Sequence, residues 1–322
     1  MRVGNINYKI LDVLENITLA DSFIKGGNKI GSGHGEAKLY VGQTADKRTL
    51  AFFDLQDNPN KIIPCFILKK DLLQYLQDTT QEYQNPTQAY KNKASMPTLW
   101  QSRVAQINSL QDVLHFNLRY LHALRPPRVY LNTTATKDEN YSLLREVALP
   151  NLSYLSCLKL KNTANGAVVF YFKIFANLDF LQQELTTLQE TRSGQAAYRR
   201  ALLQECPFCP ITMLNYDRLL IASHIKPFAH CQPHEQYDPK NGLMLTPTID
   251  KLFDKGFISF KDNKEILLSP WLSTHTFSCL HLKAGKKYPS LPFDAQRLVY
   301  LRTTESAFSR LEGFLLKGQI AH

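Results

Sequence analysis

The chain has no apolar run approaching the eighteen residues that a membrane-spanning helix needs, so no span is expected. Its start, Met1-Arg2-Val3-Gly4-Asn5, lacks the apolar core of a secretory signal. Cysteine is sparse: Cys65, Cys157, Cys206, Cys209, Cys231 and Cys279 are the only six in 322 residues. Without a leader, that usage points to a reducing cytoplasm rather than a disulfide framework. Internal repeats are missing, and so is any segregated charged tail. Residues 1–189 carry 21 basic and 16 acidic groups, and residues 190–322 carry 17 and 12, which sum to the net +10 of the whole chain. Both halves are therefore mildly basic, and both suit a polyanionic partner.

The apolar content of 44% and aromatic content of 11% fit a globular chain, and the length fits two domains. A break is expected near Arg192-Ser193-Gly194-Gln195, which gives domains at 1–189 and 190–322. In the first part, Lys38–Val41, Thr49–Phe53, Ile62–Leu68, Val129–Leu131 and Val168–Phe175 read as strands. Asp71 reads as the start of a helix to about Leu76, residues 109–124 as a helix ended by Pro126-Pro127, and Leu178–Leu188 as an amphipathic helix. Residues 78–98, rich in Gln, Asn, Thr and Pro, read as a surface loop.

Two features of the first part carry competing readings. The glycine-rich loop 26–35 would either present amides to a phosphate or form a plain surface loop, and it lacks the Gly-Lys-Ser/Thr ending of a nucleotide-binding loop. Asp21 with Glu36-Ala37-Lys38 has the acid…acid-x-Lys order of one nuclease class, against solvated surface charges.

The second part is the more informative. Leu219-Leu220-Ile221-Ala222 runs into Ser223-His224, which puts the imidazole at a strand end, and Pro227 stops the strand. A polar loop follows, then Asn241-Gly242 turns the chain into Leu243-Met244-Leu245. Thr246-Pro247 signals a helix start, Asp250 and Asp254 lie four apart on one helical face, and Gly256 ends the helix. Phosphodiester hydrolysis needs such parts: a neutral His to take a proton from water, and carboxylates to hold a divalent ion. Each feature has a plainer explanation, as a packed histidine, solvent-facing aspartates or a simple turn; the ordered set is what favours the nuclease. Cys206-x2-Cys209 with Cys231-x2-His234 has tetrahedral ligand spacing, so a structural Zn²⁺ competes with buried free thiols.

Ala222-Ser223-His224-Ile225-Lys226-Pro227-Phe228, Asp238-x-x-Asn241-Gly242-Leu243-Met244-Leu245 and Asp250-x-Leu252-Phe253-Asp254-x-Gly256-x-Ile258-Ser259-Phe260 together resemble the HNH (ββα-metal) endonuclease family, in its bacterial restriction-type branch. Gly194-Gln195-x-x-Tyr198-Arg199 resembles the helix leading into that branch's motif. The resemblance implies an α+β chain, with an N-terminal mixed α/β recognition domain followed by a ββα-metal HNH nuclease domain. It implies His224 as general base, Asn241 as brace of the loop and Asp250 as a ligand of Mg²⁺ or a similar ion. Asp254 would be a second ligand or a link from helix to strand, and Lys226 is placed to touch DNA phosphate. Ser223 stands where many members have another metal ligand. The expected function is a type II-like restriction endonuclease acting on double-stranded DNA, as a homodimer or by sequential nicking. The alternatives are a toxin-like or structure-selective nuclease, and a non-catalytic DNA-binding protein with a decayed HNH fold.

Overall fold

The computed structural model describes residues 1–31, 36–45, 47–121, 128–134, 138–177 and 189–312. Helices and strands mix in an α+β arrangement. Contacts divide the chain into two compact units, Val3–Thr186 and Thr187–His322.

The first unit is built on one eight-stranded sheet. Its strands are β1 (Arg2–Val3), β2 (Ile6–Thr18), β3 (Leu39–Gln43), β4 (Ile63–Leu68), β5 (Val113–Tyr120), β6 (Arg128–Thr133), β7 (Ser153–Asn162) and β8 (Val168–Ala176). Their order across the sheet is β1-β2-β7-β8-β4-β5-β6-β3, and β4 runs parallel to β8. β4 lies inside the sheet and is apolar along its length, as a strand covered on both faces should be. β7 and β8 form a hairpin whose turn needs Gly166 at a φ of 74°.

Helices of this unit are α1 (Lys47–Phe52), α2 (Lys69–Asp78), α3 (Thr80–Gln84), α4 (Met96–Asn108) and α5 (Glu139–Val147). Several sequence expectations fail here for identifiable reasons. The helix expected over 109–124 is strand β5: Leu114, Phe116 and Leu118 are buried and the residues between them are not, a period of two that also satisfies some helical spacings. The strand expected at Thr49–Phe53 is helix α1. Phe52 and Phe53 both pack on Phe170, at 5.7 and 5.1 Å between ring centres, whereas a strand would send consecutive rings to opposite faces.

The loop expected at 78–98 contains α3 and the start of α4. Buried polar bonds order it: Glu82 accepts from Thr87 N (3.0 Å) and Thr87 Oγ1 (2.9 Å), and Arg103 donates to Asn28 Oδ1 (2.7 Å) and Tyr83 Oη (3.0 Å). Asp71 lies in the first turn of α2 without capping it. Its carboxylate takes the Tyr171 hydroxyl and faces Lys173 Nζ at 3.6 Å.

Asp21, half of the acid…acid-x-Lys pattern, accepts Ile30 N (2.8 Å) and Gly31 N (3.0 Å) and pairs with Lys29. Glu36 pairs instead with Lys38 at 2.9 Å. Each carboxylate therefore has a local structural job. Ser32–Gly35 of the glycine-rich loop and the helix expected at Leu178–Leu188 lie outside the described residues.

The second unit contains α6 (Gln189–Glu205), β9 (Ile221–His224), β10 (Gly242–Leu245), α7 (Pro247–Asp254), β11 (Ile258–Phe260), β12 (Ile266–Leu268), α8 (Thr274–Cys279) and α9 (Ala295–Glu312). The break expected at Arg192–Gln195 falls inside α6, where Ala, Gln, Arg and Leu carry the helix through Gly194. β9 and β10 pair antiparallel with Gly242 opposite His224 and Leu243 opposite Ser223. The core joins Tyr198 and Leu202 of α6 to Leu243, Met244 and Leu245 of β10 and to Ile249, Leu252 and Phe253 of α7.

Candidate active site

The strand pair β9/β10 and helix α7 bring the sequence-selected residues to one region. Thr246 occupies the cap position of α7 in extended backbone geometry, but its side chain makes no capping bond. Pro at the first position and Asp250 in the first turn supply the helix-starting signal instead.

His224 ends β9 half-buried. Its Nε2 lies 2.8 Å from the carbonyl oxygen of Gln236. A carbonyl only accepts, so Nε2 carries the hydrogen, and Nδ1 of the neutral ring holds the free lone pair. Burial pushes the imidazole below the usual histidine range, with the Gln236 contact opposing more weakly. The ring is thus neutral at neutral pH. Tyr198 stacks on it, with ring centres 4.5 Å apart and planes 17° off parallel, and Phe228 meets it edge-on at 5.6 Å.

Asn241 is fully buried and ties the loop between the strands. Its Oδ1 accepts Lys226 N (2.7 Å), while Nδ2 donates to Lys226 O (3.3 Å), Glu235 O (3.2 Å) and Cys231 Sγ (3.2 Å). Its backbone carbonyl accepts Ile225 N (3.1 Å) and the Tyr198 hydroxyl (3.0 Å).

Asp250 is half-buried, and burial raises its carboxyl above the usual range; the neighbouring Asp254 charge pushes the same way, while the Ser223 hydroxyl donates to it and opposes. Ser223 is itself buried, so its hydroxyl holds the Asp250 carboxylate from within the fold. Asp254 is largely exposed, 3.7 Å from Lys255 Nζ. The oxygen donors of Asp250 and Asp254, four apart on α7, are of the kind a hard cation such as Mg²⁺ takes while keeping several waters. Among the described residues, no three His, Cys, Asp or Glu side chains are grouped so that they could hold a metal ion.

Cys206 and Cys209 are buried in the core, with the Cys206 thiol on Phe208 O at 3.3 Å. Cys231 instead serves the loop, donating toward Lys226 O (3.3 Å) and Pro227 O (3.4 Å) and accepting from Asn241. His234 is exposed. The four expected ligands are not brought together, because correct spacing along the chain does not fix where the loop carries its cysteine. Lys226, expected on phosphate, has its ammonium on the Glu235 carboxylate, with both side chains less than one-fifth exposed.

A second set of residues carries little local sequence signal. Arg297 of α9 is 2% exposed and donates to Glu205 Oε2 (2.7 Å), Asp294 Oδ2 (3.1 Å), Pro292 O (3.1 Å), Pro239 O (3.3 Å) and Gly242 O (3.3 Å). Lys240 joins the same two carboxylates at 2.9 and 3.1 Å. Tyr300 donates to Asp238 at 2.8 Å. These contacts fasten the short stretch 238–242, which holds Asn241, to α6 and α9. The only sequence signal for Arg297 was Asp294 three residues earlier, a pairing common on any helix.

Residues 209–261 match a family profile described as HNH endonuclease. The match spans β9, β10, α7 and β11 and includes His224, Asn241, Asp250 and Asp254. It supports nuclease chemistry, which is hydrolytic, in the second unit. No curated protein matches the chain. No helix among the described residues is long and apolar enough to cross a membrane.

Proposed function

We propose that the protein is a divalent-metal-dependent endonuclease of the type II-like restriction kind, cutting double-stranded DNA. One observation carries the reading: a half-buried, neutral histidine with its Nε2–H fixed on a carbonyl, one residue along the strand from the serine that holds Asp250. The HNH profile match supports it.

His224 accepts the proton of the attacking water at Nδ1, the one ring nitrogen with a free lone pair. Gln236 holds the ring through Nε2–H as the imidazolium forms, and the buried site returns it to the neutral state for the next turnover. Asn241 keeps the loop that carries Gln236 in register with the strand that carries His224. Asp250 and Asp254 are the residues that would hold Mg²⁺, which supplies positive charge for the pentavalent phosphate and the leaving 3′ oxygen. The product carries a 5′ phosphate.

The first unit supplies target recognition. The net charge of +10 favours a duplex partner. One such site per chain and two strands to cut require a second copy or two successive nicks. Six unpaired cysteines fit a reducing compartment such as the cytoplasm.

The test is digestion of methylated and unmethylated genomic DNA with Mg²⁺ or Mn²⁺, with the ends sequenced. Defined ends with 5′ phosphates, lost in His224→Ala, support the reading. Intact DNA of every modification state, under all ions tried, rejects it.

A further inference from the structure

Helix α6 turns a single face to the site. Gly194, Tyr198 and Leu202 are spaced by four and Glu205 follows three later, so they line one stripe. Tyr198, at the middle of that stripe, is 2% exposed and touches both ends of the loop between the strands. Its ring lies flat on the His224 imidazole, and its hydroxyl donates to the Asn241 carbonyl, which also takes Ile225 N. Burial raises the phenol well above its ordinary range, so it is a donor at every working pH.

Two glycines show how closely the helix is seated. A Cβ at Gly242 would lie 2.1 Å from the Tyr198 oxygen and 2.8 Å from Leu202 Cδ2. The Gly242 φ of −156° suits any residue, so space and not backbone conformation demands glycine there. A Cβ at Gly194 would lie 2.6 Å from Tyr237 Cζ. Tyr237 meets Phe228 edge-on at 6.0 Å, and Phe228 meets His224. The helix thus contributes one wall of the imidazole slot and backs the other.

We infer that Tyr198 is a positioning residue, whose ring fixes the plane of the His224 imidazole and whose hydroxyl fixes the Asn241 carbonyl beside it. The need for it follows from the geometry. The second torsion of a histidine side chain is broad, and a single N–H···O bond leaves the ring free to swing about that bond. A base must keep its lone pair aimed at the water. A stacked ring on one face, with an edge-on ring beside it, removes the remaining freedom. The inference rests on the proposed role of His224 in cleavage, but its first readout does not.

The experiment uses the full chain with ¹⁵N-labelled histidine, assigned with His224→Gln, and reads the His224 tautomer by NMR without DNA or metal. Single-turnover cleavage and DNA affinity are then measured on the same proteins. Wild type should show the Nε2–H tautomer alone. Tyr198→Leu should show a mixture of tautomers and cut roughly 100-fold more slowly, the low end of what a positioned base contributes, with DNA affinity within about twofold. Tyr198→Phe keeps the ring, and should keep the tautomer and lose no more than about tenfold, the value of one hydrogen bond. Gly242→Ala should behave like Tyr198→Leu, and adding Tyr198→Phe should recover part of the loss because the closest clash is gone. The Gly242 pair decides the matter if Tyr198→Leu does not fold.

A single tautomer in Tyr198→Leu with wild-type cleavage overturns the inference, as does equal damage from Phe and Leu, or a double variant no better than Gly242→Ala alone. A wild type that never cuts DNA defeats the nuclease reading instead, and leaves the tautomer result to stand or fall by itself.

Discussion

Replacing Arg297 by Met tests the scaffold around the loop more directly than any change at His224. Met keeps most of the apolar stem and removes the guanidinium. The change deletes five hydrogen bonds, to Glu205, Asp294, Pro292, Pro239 and Gly242. Removing one partner of a fully buried ion pair costs about 3–5 kcal/mol. Here Glu205 and Asp294 are 31% and 40% exposed and keep Lys240, so water and that ammonium recover part of the loss. A cost of about 2–3 kcal/mol results, which lowers the urea midpoint by roughly 1 M for a slope of ~2 kcal/mol per molar.

The two tryptophans make the assay local. Trp100 lies in the first unit, and Trp271, 2% exposed, lies in the second. In a Trp100→Phe background, fluorescence reports unfolding of the second unit alone. Arg297→Met should shift that midpoint while the slope stays constant. Glu205→Gln, which leaves Arg297 with Asp294 and three carbonyls, should shift it much less. A midpoint for Arg297→Met within about 0.3 M of wild type would refute the argument, since a shift so small means the five bonds are replaced by water at no cost.

Other consequences follow from the titrating groups and the loop. The folded pKa of His224 is depressed by burial; if its neutral form is the base, single-turnover cleavage should rise with pH with a midpoint below the ordinary histidine value of about 6.5. The rise should vanish in His224→Ala; a rise centred above 6.5 in wild type would contradict burial as the cause. Asp250 has a folded pKa raised above its unfolded value, so its charge costs nothing below the unfolded pKa and destabilises as pH climbs through the folded one. At neutral pH without divalent ions, Asp250→Asn should melt no lower than wild type. Mg²⁺ at about 100 times its Kd should stabilise wild type by ~2.7 kcal/mol and the variant little. Equal Mg²⁺ stabilisation of both would move the metal elsewhere. Lys226→Met and Glu235→Gln should speed hydrogen exchange in the 226–241 loop alike. If only Lys226→Met weakened DNA binding, and reduced the slope of affinity against salt by about one, the lysine would be a phosphate contact after all.

The second unit was legible because its determinants are local. Strand ends at His224, turn at Asn241-Gly242 and helix start at Pro247 each sit within a few residues of the chemistry they position, and the chain order that makes the site is the order of the sequence. Tyr198 and Arg297 have no such local signal, since they act through contacts 26 to 92 residues away. Nothing in their own neighbourhood separates a tyrosine that stacks on a histidine from one that fills a core. The first unit shows the opposite limit. β5 was misread because Leu110, Val113, Leu114, Leu118 and Leu121 fit a helical stripe when His115, Asn117 and Arg119 are ignored; the sheet partners Cys65 and Ile67 that decide the matter lie about fifty residues upstream. The zinc quartet shows that spacing fixes which ligands are able to meet, while the bonds made by Asn241 fix where Cys231 goes.

Helix α6 also changes what counts as a transplantable piece. The stretch that carries the family's pattern starts at Cys209, yet the residues that clamp the loop enter from both sides of it: Tyr198 and Glu205 before, Asp294, Arg297 and Tyr300 after. A fragment cut to the pattern would keep His224, Asn241, Asp250 and Asp254, and lose the ring over the imidazole and the guanidinium under the turn. A chimera that moves this unit intact therefore has to take its junction before Gln189 and run past Tyr300.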